Sequence, residues 1–136
     1  MWVQRIMVGE GDWLVVVFYA PNAEELAWVS DALLSAGEGV HATAEAIRTL
    51  LKPNTGYTYT SYRSRSSVAV VSRATSLRQF LNTAVHELKH IVEHISTFYG
   101  VDPKSEEAGY LQGYVGGRMM EFTALRLAHA GGEGRN

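Results

Sequence analysis

Residues 76–100 read SLRQFLNTAVHELKHIVEHISTFYG, and the periodicity of this stretch decides how the rest of the chain is arranged. Ser76 and Gln79 have the spacing of a capping box, in which the hydroxyl takes the backbone N–H three residues on. Leu77, Leu81, Ala84, Leu88, Val92 and Ile95 recur at three- and four-residue intervals, which predicts an amphipathic helix closed by Gly100. Four residues turn a helix by about 400°, so His86 and His90 project from one side, about 40° apart. With Leu88 at the middle of the apolar stripe, both histidines fall nearly opposite it, beside Thr83 and Glu93. Glu87 then sits on the flank, about 100° from His86.

This spacing matters chemically. Two imidazoles on successive turns can supply two of the three protein ligands of a catalytic zinc, leaving a position for water. The ion brings the pKa of that water towards 7, and a neighbouring carboxylate can take its proton as it attacks a carbonyl. Glu87 stands where such a base is needed. His–Glu–x–x–His on a helix is the sequence signature of this arrangement. A solvated helix face bearing Gln79, Thr83, Lys89 and Glu93 is the plainer reading of the same residues.

His94 continues the four-residue rhythm. The rise from His86 is about 12 Å, too far for both rings to reach one ion at about 2 Å. It reads as an exposed or supporting residue, and His41 and His129 as structural or exposed. A third ligand must therefore come from another element. After Asp102-Pro103, a helix is predicted from about Ser105 to near His129, and its first turn carries Glu106 and Glu107. Glu106, Tyr110, Gly113 and Gly117 share one face, whose small residues would let it lie close over the histidines. Glu106 is accordingly preferred to Glu107 as the third metal ligand. Acidic residues also favour a first helical turn through its dipole alone. Tyr110, and less directly Tyr114, could donate a phenolic hydrogen bond to a developing oxyanion.

Upstream, WLVVVFYA (13–20) reads as a buried strand that pairs with residues before VGEGD (8–12) in a hairpin. A helix is predicted within residues 21–37, with Asn22 and Glu25 at its start and Gly37 at its end. A second, over 42–51, stops at Lys52-Pro53. GYTYTSY (56–62) and SVAVVS (67–72) are rich in β-branched and aromatic residues and read as two more strands. The helix from Ser105 carries Gly109, Gly113, Gly116 and Gly117, a costly set unless another backbone packs close against them. Residues 130–136 are expected to form a flexible tail.

Composition narrows the classes. The chain has 136 residues, 46% of them hydrophobic, which suits a single domain with a real core. A formal charge of −2 with no basic cluster argues against nucleic acid as a partner, and Arg63, Arg65 and Arg73 read as solvated surface. The absence of cysteine excludes disulfides and thiolate metal sites. The amino-terminal residues lack a signal-peptide pattern, and no stretch has the length of a membrane span. The expected location is cytoplasmic, with no membrane partner.

Taken together, HELKH followed by a turn and a glutamate on the next helix resembles the gluzincin branch of zincin-like metallopeptidases. NTGYTYT, ATSLRQFLNTAVHELKH and EEAGYLQGY, over roughly residues 54–117, resemble small zincin-like proteins of phages and mobile elements of gut bacteria. The resemblance implies an α+β fold, with a small, mostly antiparallel sheet packed against the active-site helix and a following C-terminal helix. It implies Zn2+ on His86, His90 and Glu106, Glu87 as general base, and a peptide or protein as substrate. The metzincin pattern does not fit, because Glu93 stands at its glycine and its third histidine is missing. The chain is also small for a general protease. Two alternatives follow: a non-catalytic, metal-stabilised interaction module of phage or mobile-element origin, and a helical interaction domain with a solvated histidine face.

Overall fold

The computed structural model describes the backbone of residues 1–133 and the side chains of residues 1–126. It is α+β. Strands β1 (Trp2–Val8) and β2 (Trp13–Tyr19) lead into helices α1 (Leu26–Ala36) and α2 (Val40–Leu50). Strands β3 (Gly56–Ser61) and β4 (Ser66–Val71) follow, then α3 (Leu77–Phe98) and α4 (Glu106–Glu133). The sheet order is β1-β2-β4-β3. Both sequence-adjacent strand pairs are antiparallel hairpins, and β2 runs parallel to β4 with Leu14 beside Ser66 and Tyr19 beside Val71. No described helix is long and apolar enough to cross a membrane.

Helices cover both faces of the sheet, so the central strands are apolar on both sides. Val15, Val17 and Tyr19 of β2, with Ala69 and Val71 of β4, face α3 and α4. Phe18, Val68 and Val70 face α1 and α2. This is why WLVVVFYA shows no polar alternation. Full burial of each such valine or phenylalanine side chain contributes about 1.5–3 kcal/mol. At the β1 edge, buried Gln4 accepts the Tyr19 hydroxyl (2.7 Å) and donates to the Arg118 carbonyl (2.9 Å), tying the sheet to α4. Burial holds the Tyr19 phenol above its ordinary pKa, with only partial opposition from Arg126.

Two helix starts carry the side-chain caps expected from the sequence, and α2 begins at Val40, ahead of the expected residue 42. Ser76 Oγ accepts the Gln79 N–H at 3.1 Å. Asn22 Oδ1 accepts the Glu25 N–H while Glu25 Oε1 accepts the Asn22 N–H, a reciprocal capping box. Gly37, at φ 108°, closes α1 in the left-handed conformation that favours glycine.

The buried face of α3 departs from the expected stripe. Leu77 and Leu81 are exposed (61% and 38%). Phe80 takes their place against Tyr19, and the packed line runs Phe80, Ala84, Leu88, Ile91, Val92 and Ile95. Because Glu87 lies three residues after Ala84 and four before Ile91, this rotation carries it from the flank to the buried face, 3% exposed.

Helix α4 continues to Glu133 rather than ending near His129. The side chain of His129 and residues 134–136 of the expected tail lie outside the described residues. The packed residues of α4 are Ala108, Leu111, Val115, Met119 and Phe122. Of its interior glycines up to Gly117, only Gly116 meets a neighbour, since a Cβ there would lie 2.8 Å from Leu88 Cδ2. Gly109, Gly113 and Gly117 have nothing within 4 Å, so the expected close backbone packing is absent at these three. Gly113→Ala should therefore stabilise the protein by about 0.5–1 kcal/mol in chemical denaturation. Gly116→Ala should gain less or lose stability, because Leu88 must shift.

Candidate metal centre

Strand β3 is an edge of the sheet and lies against α3. Its alternation sends Tyr57 and Tyr59 to the core under α1 and α2, leaving Gly56, Thr58 and Thr60 on the α3 side. Each of the three meets a polar residue of α3 or makes room for one. Thr58 Oγ1 donates to Glu87 Oε1 at 2.7 Å, and Thr60 Oγ1 lies 2.7 Å from His94 Nδ1. A Cβ on Gly56 would stand 2.5 Å from Glu87 Oε2, so glycine is required for the carboxylate to lie where it does. The Tyr57 hydroxyl donates to Glu38, fixing the other face of the strand to the α1–α2 turn.

Between β3 and α3 lies an open cavity of about 590 Å³, lined among others by Asn54, Thr58, His86, Glu87, His90 and His94. The three expected residues of α3 thus share one cavity. His86 and His90 turn their rings towards each other, with Nε2 atoms 3.1 Å apart and ring planes at 85°. The contact is itself a hydrogen bond, and its length is close to the about 3.3 Å that separates two nitrogens bound at 2.0–2.1 Å to a tetrahedral zinc.

Glu87 is the buried member. Desolvation holds its carboxyl above the usual carboxylate range, while the Thr58 hydrogen bond and the charges of His90 and His86 pull the other way. Oε2 has no hydrogen-bond partner among the described residues. It lies against Gly56, and the residue lines the cavity. His94 is half-buried, and burial lowers the basicity of its ring, aided by His90 and opposed by Glu93.

The second helix does not complete the set. Among the described residues no three His, Asp or Glu side chains are grouped to hold a metal ion. Glu106 is exposed and accepts the Tyr110 hydroxyl at 3.1 Å. The groove on the α4 side of His86 is lined by Pro103, Lys104 and Gln112, not by Glu106. Glu107 lines a separate hollow with Val8, Tyr99 and Leu111. The face carrying Glu106, Tyr110, Gly113 and Gly117, expected over the histidines, is turned to solvent. The physical reason is the apolar line from Ala108 to Phe122, which docks α4 on the core instead. Tyr114 gives its hydroxyl to the Met7 carbonyl at 2.9 Å, on the β1 side.

Gly56, Thr58 and Thr60 were missed as site residues in the sequence. Their signal was present in the alternation of GYTYTS, small or hydroxylated on one face and aromatic on the other. No protein-family model, curated protein or solved structure matches the chain.

Two measurements test this geometry. Gly56→Ala should destabilise the protein by about 1–3 kcal/mol, and by clearly less in a Glu87→Ala background where the clash is gone. A carboxyl whose folded pKa is raised contributes stability below its unfolded pKa and loses it as pH rises through the folded value. Glu87→Gln mimics the protonated form. In chelator-treated protein it should therefore gain stability relative to wild type between pH 4 and pH 7, measured by urea denaturation at both.

Proposed function

We propose that the chain is a zinc-dependent hydrolase of a peptide bond, with His86 and His90 as metal ligands and Glu87 as general base. The observation that carries this reading is the convergence of two imidazole nitrogens beside a buried carboxylate in one open cavity. Bound there, zinc supplies the Lewis acidity that polarises a carbonyl and makes water nucleophilic near neutral pH.

The chain's own residues do the rest. Thr58 holds Glu87 Oε1, and the other carboxylate oxygen, Oε2, would take a proton from the attacking water and return it to the leaving nitrogen. The burial that raises the pKa of Glu87 also strengthens it as a base. Strand β3 supplies the cavity wall and is a sheet edge, so an extended peptide can add alongside it. Glu106 and Tyr110 are bonded to each other, and the reading stands on the three α3 residues without them.

A second reading, a metal-stabilised interaction module without turnover, uses the same two histidines. No third His, Asp or Glu joins them among the described residues, and this bears on both readings, because structural zinc takes four protein ligands and catalytic zinc three. Native mass spectrometry and a peptidase assay separate the two. The hydrolase should carry one zinc per chain, lose it in His86→Ala and His90→Ala, and melt at lower temperature with chelator. Glu87→Gln should keep the zinc and lower kcat by about 10²–10⁴-fold. Zinc without any cleavage by wild type would favour the module, and no zinc at all would remove both.

A further inference from the structure

His94 has no task in the proposed hydrolysis, yet it ends a chain of hydrogen bonds that begins in the core. The Trp13 indole N–H donates to Ser67 Oγ at 3.1 Å, Ser67 Oγ lies 2.8 Å from Thr60 Oγ1, and Thr60 Oγ1 lies 2.7 Å from His94 Nδ1. Trp13 and Ser67 are closed to solvent, at 1% and 0% exposure, so their hydrogens must be placed within the chain.

The direction of the chain follows from the donors. An indole N–H only donates, so the Ser67 oxygen accepts it. The Ser67 hydrogen then has Thr60 Oγ1 as its partner, and Thr60 directs its own hydrogen to His94 Nδ1. The reverse order, Nδ1–H into Thr60 and Thr60 into Ser67, strands the Ser67 hydrogen in a buried site, at the desolvation cost of an unpaired hydroxyl. With Thr60 accepting from Ser67, Nδ1 is the side-chain acceptor within reach of the Thr60 hydrogen, which favours Nδ1 as acceptor and the neutral ring's proton on Nε2. That ring lines the cavity, 6.1 Å from the His90 ring between centroids.

We propose that His94 is a fixed hydrogen-bond donor of the cavity, presenting Nε2–H to the carbonyl oxygen of a bound amide, with Trp13, Ser67 and Thr60 as positioning residues that select this tautomer. In this form Nε2 has no lone pair for a cation, so the third histidine of the helix serves a different purpose from the first two. A donor aimed at an oxygen that gains negative charge stabilises the transition state more than the ground state. The identity of the ligand rests on the hydrolase reading; the tautomer does not.

The first test uses chelator-treated, 15N-labelled full-length protein, with long-range proton–nitrogen correlation of the His94 ring at a pH above its titration. Wild type should show the Nε2–H tautomer alone. Thr60→Val should give Nδ1–H or a mixture with the backbone spectrum retained, and Thr60→Ser should restore the wild-type pattern. An Nδ1–H ring in wild type, or a ring unmoved by Thr60→Val, overturns the proposal. The second test uses zinc-loaded protein and a peptide that wild type cleaves. His94→Phe should lower kcat by about 10²-fold with KM within about twofold, and Thr60→Val should lower kcat less. An unchanged kcat in His94→Phe overturns the donor role while the hydrolase reading survives. If zinc-loaded wild type cleaves nothing, the hydrolase reading fails, and the tautomer of the metal-free chain still upholds or overturns the assigned donor.

Discussion

The seam between the edge strand β3 and helix α3 is the constraint on which the rest depends. A carboxylate is placed on the buried face of a helix, and the strand opposite must receive it. It does so with a glycine, whose missing side chain admits Glu87 Oε2, and a threonine, whose hydroxyl bonds Oε1. The glycine would not be chosen for sheet stability alone. Glycine is depleted in strands, and an ion-capable group without full compensation is costly when buried. The local rules bend here, at the wall of the cavity holding His86 and His90. Departures from local consistency concentrate where a protein acts.

Much of the architecture was legible because it rests on strong local signals. The apolar run of β2 and the two hairpins follow from strand composition and turns. The capping box at Asn22, the Ser76 cap and the stop at Gly37 are governed by hydrogen bonds within a few residues. The pairing of His86 with His90 is equally local, being set by the helical repeat. What depends on the neighbour was harder to read. The rotation of α3 about its axis is fixed by what covers it, so exchanging Leu81 for Phe80 as the packed residue moved Glu87 from flank to interior.

The placement of α4 shows the same limit. Its sequence offers two faces, one small and polar with Glu106, Tyr110 and Gly113, the other apolar with Ala108, Val115 and Met119. The first invites a metal-site reading, but burial of the second decides the docking. The glycines that suggested close packing mostly face open space, and one close approach, Gly116 on Leu88, suffices for the helix pair. The site is consequently built from one helix and one strand, which is a smaller unit than the sequence suggested.

The parallel pairing of β2 with β4 has a consequence for how the chain reaches this state. Each hairpin can close from neighbouring residues, but joining them pairs strands separated in sequence by α1, α2 and β3. Such distant pairing raises contact order and slows the search for the native arrangement. The seam that shelters Glu87 lies by contrast between elements close in sequence, β3 and α3, so the histidine pair and Glu87 acquire their surroundings from more local pairings than the one that joins the hairpins.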